Sequence, residues 1–297
     1  MDEKLDRGLY VVATPIGNLA DLTPRALNVL KRVDVVACED TRNTQSLLQH
    51  FDVRPRLIAV HEHNERAAAD GVVKLIADGN AVALVSDAGT PAVSDPGALV
   101  VKAVHRAGFA VTPIVGASAV VAAMSASGEG EGGFAFHGFL PTKSGERQRA
   151  AAALRTTLVK MPVVLYESPH RIVESVADIA AVFADAPQQE IIICRELTKK
   201  FESVVRLPLG DAVSWLQADA NNQRGEFVLV LAKLPSGAAD EAKMTENALL
   251  ERTLQVLLAE LPLKQAVSIA VSLTGAKKNL AYDMALTLRD ANAGKST

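Results

Sequence analysis

The 297-residue sequence has only two cysteines, Cys38 and Cys194, which lie far apart and form no CxxC pair. Neither a thiolate metal framework nor a disulfide scaffold is expected, and a reducing compartment fits. Aromatic residues make up 4% of the chain, so the core must be built from Ala, Val, Leu and Ile. No uninterrupted apolar run approaches the roughly 18 residues that a membrane span needs. The opening MDEKLDRG is charged where a secretory signal would be apolar, so a soluble, cytoplasmic protein is expected. Positive charge is missing too. The formal net charge is −3, and Lys+Arg against Asp+Glu number 12 and 14 over residues 1–124, 12 and 13 over 125–235, and 7 and 7 beyond. No third of the chain attracts nucleic acid by its overall field, so phosphate contacts would come from local patches. Two nucleotide signatures are absent as well. There is no GxxxxGK[ST], and the first apolar run ends in TPIGN rather than GxGxxG.

What is present is a globular composition, 49% apolar and 22% charged, long enough for two domains and a small third piece. Buried-strand runs (GLYVVATPIGN, DVVACEDTR, RLIAVHEH, AVALVSDAG, AVTPIVGAS) alternate with helical stretches, the pattern of an α/β domain with a largely parallel sheet. Thr23-Pro24 reads as an N-cap followed by the first helical position. SGEGEGG at 127–133 is the lowest-complexity stretch and marks the expected boundary between domains 1–126 and 127–235. The second domain reads as mixed α/β, with its last strands close enough for antiparallel pairing. LPSGAADEAKMTE reads as a linker, and 240–297 as a helical segment. In it PLKQAVSIAVSLTGAKKNLAYDMALTL has helix-turn-helix spacing, with Lys277 and Lys278 opening the second helix, although the residues alone favour a small packed helical hairpin.

The stretch LVSDAGTPAVSDPG, Leu84–Gly97, holds two acids, two prolines and two glycines after an apolar run. A plain connector needs one such turn residue, so this loop reads equally as a double turn or as a loop whose backbone approaches a ligand. Turn capping is the plain reading of Asp87 and Asp95, and the preferred one for Asp95, with a role in the site left open. The ordered set of strand ends is more specific: VATPIGNLADLTPRA, ACEDTR, HEHNE, SDAGTPAVSDPG, VGASA, HGFLP, YESPHR, CRELTKKFE and GEFVLV. Together they resemble the tetrapyrrole-methylase-like superfamily of S-adenosylmethionine methyltransferases, and within it the branch that methylates a ribose 2′-oxygen of a decoding-site cytidine in small-subunit ribosomal RNA.

The resemblance implies two α/β domains with an S-adenosylmethionine cleft between them, followed by the small helical segment. It implies cofactor contacts from Pro15, Gly89, Thr90, Val93, Ser118 and Ala119 in the first domain. Tyr166, Leu197 and Phe227 would close over the cofactor from the second. A 2′-hydroxyl is a poor nucleophile while protonated, so a base or polarising cation should help. Asp40, Arg42, His63, Glu167 and His170 form the expected reacting constellation, although Asp40 equally reads as a helix cap. Arg171, Arg195, Lys199, Lys277 and Lys278 are the expected RNA contacts. No metal is expected: His61 and His63 could pair on a metal, but no carboxylate-plus-cysteine framework supports it, and a polar strand end is the plainer reading. A homodimer is implied by the resemblance alone. Two other functions compete: a methyltransferase of the same fold acting on a tetrapyrrole or other small molecule, and a non-catalytic RNA-binding assembly factor.

Overall fold

The computed structural model describes residues 5–61, 64–234, 249–258 and 260–293. Five parallel strands form the first sheet: β1 (Gly8–Val12), β2 (Val35–Cys38), β3 (Arg56–Ala59), β4 (Ala81–Val85) and β5 (Val111–Ile114), in the order β3-β2-β4-β1-β5. The centre is buried on both faces, which is why β2 and β4 read as unbroken apolar runs. Pro113 cannot donate to a ladder and sits on the edge strand β5. Helices α1 (Pro24–Arg32) and α2 (Thr41–His50) pack on one face through Ala26, Val29, Leu30 and Leu48. On the other face α3 (Glu65–Ala77) and α4 (Ala98–Arg106) bury Val72, Ile76, Val100 and Val104. The Thr23 hydroxyl accepts from the Ala26 N–H at 3.1 Å, and Pro24 follows as the first helical residue.

The second sheet is mixed. It comprises β6 (Ala135–Phe139), β7 (Val163–Glu167), β8 (Glu190–Arg195), β9 (Ser203–Pro208) and β10 (Phe227–Leu231), ordered β6-β7-β10-β8-β9, with only β6 and β7 parallel. The period-2 alternation of β10 shows how it is covered. Phe227, Leu229 and Leu231 face the core formed with α6 (Ser144–Ala153), α7 (Arg155–Leu158), α8 (Ile172–Val182) and α9 (Ala212–Ala218). Val228 and Val230 face the opposite way, onto Val120, Ala123 and Met124 of α5 (Ala119–Ser127). By packing, α5 therefore belongs to the second sheet, although it precedes the glycine-rich stretch. The covalent linker and the change of core fall at different places.

Inside the second domain Arg147 is 2% exposed. Its Nε donates to Asp178 at 2.7 Å and its Nη1 to the Thr142 carbonyl at 2.8 Å, tying α6 to α8. Hydrogen bonds from Ser144, Gln148 and Arg147 hold the Asp178 carboxyl below its ordinary range against the opposing effect of burial. Both cysteines are buried and free, and burial pushes the Cys194 thiol up to about 11, so neither is a reactive thiolate at neutral pH.

The LPSGAADEAKMTE linker lies mostly outside the described residues. Beyond it α10 (249–258), α11 (Leu263–Thr274) and α12 (Lys278–Ala293) close around Leu250, Leu254, Val267, Ala270, Ala281 and Ala285. Gly275, left-handed at φ 70°, ends α11.

Candidate functional site

A cleft of about 290 Å³ lies between the two sheets. One wall comes from the loops at the carboxyl ends of β1, β4 and β5, where open parallel sheets bind ligands. It consists of Ile16, residues 88–90 and 93–95, and Ser118 with Ala119. The facing wall is Phe139 at the end of β6, Tyr166 and Glu167 at the end of β7 with Ser168 and Pro169 beyond it, and residues 226–228 entering β10.

The loop after β4 is held in an uncommon shape. Gly89 has φ 80°, and two residues with side chains, Ala92 and Ser94, are also left-handed at φ 66° and 62°. Such positions persist only where the surroundings over-determine them, and they cluster at ligand sites. Gly89 exchanges two backbone hydrogen bonds with Thr14, at 2.9 and 3.1 Å, which couple the ends of β1 and β4. Its own N–H and C=O are therefore engaged with Thr14. The Thr90 hydroxyl donates to the Ala117 carbonyl at 3.1 Å and ties the same loop to the start of α5. Across the cleft, Gly138 sits at a register shift in β6, and a Cβ there would stand 3.2 Å from the Ser94 hydroxyl. The missing side chain lets the loop touch the second sheet.

Acids dominate the electrostatics. Asp95, Glu167 and Glu226 line the cleft, and no Lys, Arg or His does so among the described residues. Glu167 accepts from the Ser168 N–H at 2.8 Å and pairs with Arg171 at 3.2 Å. Glu226 pairs with Lys199 at 2.9 Å. Asp95 differs: burial raises its pKa, the Asp87 charge adds to the rise, and a hydrogen bond from Ser86 opposes it. The Tyr166 phenol is likewise pushed up, first by burial and then by Asp95. Its ring packs edge-on to Phe136 at 4.9 Å and tilted to Phe139 at 5.6 Å.

The structure brings together on these walls Gly89, Thr90, Val93, Ser118, Ala119, Tyr166, Phe227 and Glu167. Pro15 is buried beside Ile16, which takes the wall position. Leu197 packs into the cluster beneath α5 rather than lining the cleft. Asp40 caps α2 through the Arg42 N–H at 2.8 Å and is gripped by the Arg42 guanidinium, whose hydrogen bonds hold its carboxyl down at about 2. Neither residue lines the cleft. Asp87 accepts from the Asp40 N–H and from the Asn43 amide, at 3.1 and 2.7 Å, so it links two strand ends rather than capping its own turn. His170 is exposed in the turn after β7, away from the lining, and His63 lies outside the described residues.

The expected RNA-binding cations split in two. Arg171 donates to the Leu140 carbonyl at 2.8 Å as well as to Glu167. Arg195 donates to the carbonyls of Phe201 and Arg224 at 3.0 and 3.3 Å, and Lys199 bridges Glu196 and Glu226. These three brace loops at the cleft. Lys277 and Lys278, by contrast, are exposed at the start of α12. Wall residues that sequence reasoning missed, Ile16, Ser94, Phe139 and Glu226, all lie within the quoted strand-end motifs. Their signal was position beside a strand end rather than residue type.

Comparison with known proteins agrees with this architecture. A family described as Tetrapyrrole (Corrin/Porphyrin) Methylases matches residues 8–213, and one described as RsmI C-terminal HTH domain matches 245–289. Proteins named "Ribosomal RNA small subunit methyltransferase I" are similar along nearly the whole chain. The one from Neisseria meningitidis serogroup A is 46% identical over 282 residues, 95% of this chain and 94% of that protein. Its Escherichia coli O157:H7 counterpart is 43% identical, covering 94% of each. Among solved structures, a diphthine synthase aligns with TM-score 0.59 at 16% identity, covering 76% of this chain and 90% of its own. A uroporphyrin-III C-methyltransferase from Thermus thermophilus, solved with S-adenyl homocysteine, aligns at 0.52 and 18% identity over 76% and 98%. With two sheets facing a shared cleft and a C-terminal helical cluster of its own, the chain belongs to the tetrapyrrole methylase superfamily and, within it, to the ribosomal RNA small subunit methyltransferase I family.

Proposed function

We propose that this protein transfers a methyl group from S-adenosylmethionine to the ribose 2′-oxygen of a cytidine in the decoding region of small-subunit ribosomal RNA. The observation that carries the reading is the acidic, aromatic cleft in a chain 46% identical over 95% of its length to a ribosomal RNA small subunit methyltransferase I. A cleft with three carboxylates and no basic side chain among its described lining residues suits a cationic ligand, and the Phe139 and Tyr166 faces add to that attraction. The residues present therefore fit a sulfonium cofactor. Gly89, Thr90, Val93, Ser118 and Ala119 would hold it from one side and Tyr166 and Phe227 from the other. When bound, S-adenosylmethionine supplies an activated methyl group and departs as a neutral thioether.

The chain's own task is then to align the acceptor oxygen and remove its proton, and alignment alone can carry much of the rate. Of the three wall carboxylates, Glu167 and Glu226 are ion-paired, whereas Asp95 is half-buried with a raised pKa. Asp95 takes the hydroxyl proton as the new oxygen–carbon bond forms. Glu167 acts through its Arg171 contact, positioning the turn after β7.

Methyl transfer to small ribosomal subunits lacking the modification tests the reading, with mass spectrometry of the product nucleosides. Recovery of 2′-O-methylcytidine supports it. Cofactor binding without RNA methylation points to a small-molecule substrate, and RNA binding without cofactor affinity to an assembly factor.

The C-terminal unit docks RNA in this reading. Lys277 and Lys278 stand at the start of a 16-residue helix, where the helix dipole adds to their attraction for phosphate. Lys277→Glu with Lys278→Glu should weaken RNA binding about tenfold and reduce the salt slope by about two. Cofactor affinity should not change. Filter binding at several salt concentrations measures both quantities, and an unchanged slope would leave this unit as packing only.

A cytoplasmic homodimer completes the proposal. Val115 and Val121, 68% and 59% exposed around the β5–α5 loop, offer apolar surface for a second copy. Light scattering giving the mass of a single 31.4 kDa chain would remove this part.

A further inference from the structure

The loop from Glu196 to Glu202, between β8 and β9, is braced from several directions yet presents its largest apolar side chain to solvent. Glu196 and Thr198 are left-handed at φ 52° and 68°, although neither is glycine. The Arg195 guanidinium donates to the Phe201 carbonyl at 3.0 Å, the Thr198 N–H to the Glu202 carboxylate, and the Glu202 N–H to the Lys199 carbonyl at 3.1 Å. Lys199 pairs with Glu226 of the cleft wall. Its stem crosses Gly17, where a Cβ would stand 2.5 Å from the Lys199 Cγ. That fixes the loop at the cleft mouth, beside Ile16 of the opposite wall. In this rigid frame the Phe201 ring is 64% exposed, and the Lys200 ammonium stands 5.6 Å from its centroid.

Left-handed non-glycine residues are strained and persist where surrounding bonds hold them. Here those bonds hold an aromatic ring outside the core. Lys199, Lys200 and Glu202 surround Phe201 in sequence, so the patch is a single ring among charges rather than the broad apolar surface of a protein interface. An exposed ring beside an ammonium is the arrangement that binds an unpaired nucleotide, the base stacking on the ring and the phosphate meeting the cation. We propose that Phe201 and Lys200 form a subsite for a single-stranded nucleotide flanking the acceptor, which holds the RNA strand at the cleft mouth. The proposal rests on the ribosomal-RNA reading above and adds to it the residues that grip the strand.

The test uses the full-length protein and small ribosomal subunits lacking the modification. Phe201→Ala and Phe201→Leu should each raise the Kd for subunits about tenfold, the range of one base–aromatic stack, while Phe201→Trp stays within about threefold of wild type. Comparing Leu with Trp separates stacking from apolar bulk. Lys200→Gln should lower the salt slope by about one. S-adenosylmethionine affinity, by calorimetry, should be unchanged in all four. Equal subunit affinity for Ala, Leu, Trp and wild type overturns the subsite, as does a change of oligomeric mass in Phe201→Ala, which would place the ring in a contact between copies. If wild type methylates subunits and Phe201→Ala does so with the same Kd, only the subsite falls. If wild type neither binds nor methylates subunits, the subsite falls together with the RNA reading.

Discussion

Gly89→Val should cut cofactor affinity at least about a hundredfold in a protein that still folds. Gly89 has φ 80°, where a β-branched residue is strained, and a Cβ there would stand 3.3 Å from the Ile16 Cγ2 and 3.8 Å from the Ala117 carbonyl oxygen. Ile16 is itself part of the cleft wall, so a larger side chain drives the loop and that wall apart. The loop cannot relax freely, because Thr14 holds Gly89 by two backbone hydrogen bonds and Ala117 holds Thr90. Backbone strain should lower stability by about 1–3 kcal/mol. That is a fraction of a domain's stability, which lies at about 5–15 kcal/mol. Cofactor affinity should fall by roughly a hundredfold or more, equivalent to about 2.8 kcal/mol. Gly89→Ala should fall between glycine and valine, since its single methyl meets Ile16 at the limit of close contact. Calorimetry with S-adenosylmethionine and a thermal melt together decide the matter: wild-type affinity in a folded Val variant would remove this loop from the site.

The elements were legible in sequence because their determinants are local. Apolar runs ended by Gly and Pro mark the strands, and Thr23-Pro24 marks a helix start through a hydrogen bond three residues long. The assignment of α5 was not legible. Its sequence AVVAAMSAS is apolar all round, so it has no periodic face to indicate which sheet it covers. The core changes before the glycine-rich stretch that follows, at the turn from β5 into α5.

The cleft walls were partly legible for the same reason, because ligand loops of parallel sheets lie at strand ends. The bracing of the cleft by cations was not. Arg171 and Lys199 have near partners in sequence, Glu167 and Glu196, but the contacts that tie them across the fold, the Leu140 carbonyl and Glu226, lie 31 and 27 residues away. Only tertiary structure shows that these cations brace the cleft. Asp40 illustrates a local alternative: its cap on α2 and its Arg42 pair both lie within two residues, so the sequence offered capping and catalysis on equal terms. Asp95 shows the reverse. Its motif position suggested a turn, whereas the fold puts it on the cleft wall directly after the left-handed Ser94.

Asp95→Asn should therefore separate catalysis from folding. Asparagine keeps the shape of the side chain and can still accept from Ser86, but it cannot take a proton from the acceptor hydroxyl. Turnover at saturating substrate should fall by about 10²–10³, the lower part of the range for a positioned general base, with cofactor affinity near wild type. Stability should hold or rise. Burial raises the folded pKa of Asp95, and the Asp87 charge adds to it. A raised carboxyl contributes stability below its unfolded pKa and loses that contribution as pH rises through the folded value, so the ionised group is unfavourable at neutral pH. Asparagine removes that penalty. In wild type, the rate should drop as acidification protonates Asp95, and this acidic limb should vanish from the residual rate of the variant. Wild-type turnover in Asp95→Asn would move the base elsewhere. A lowered Tm together with lost cofactor affinity would instead make Asp95 part of the wall that holds the cofactor.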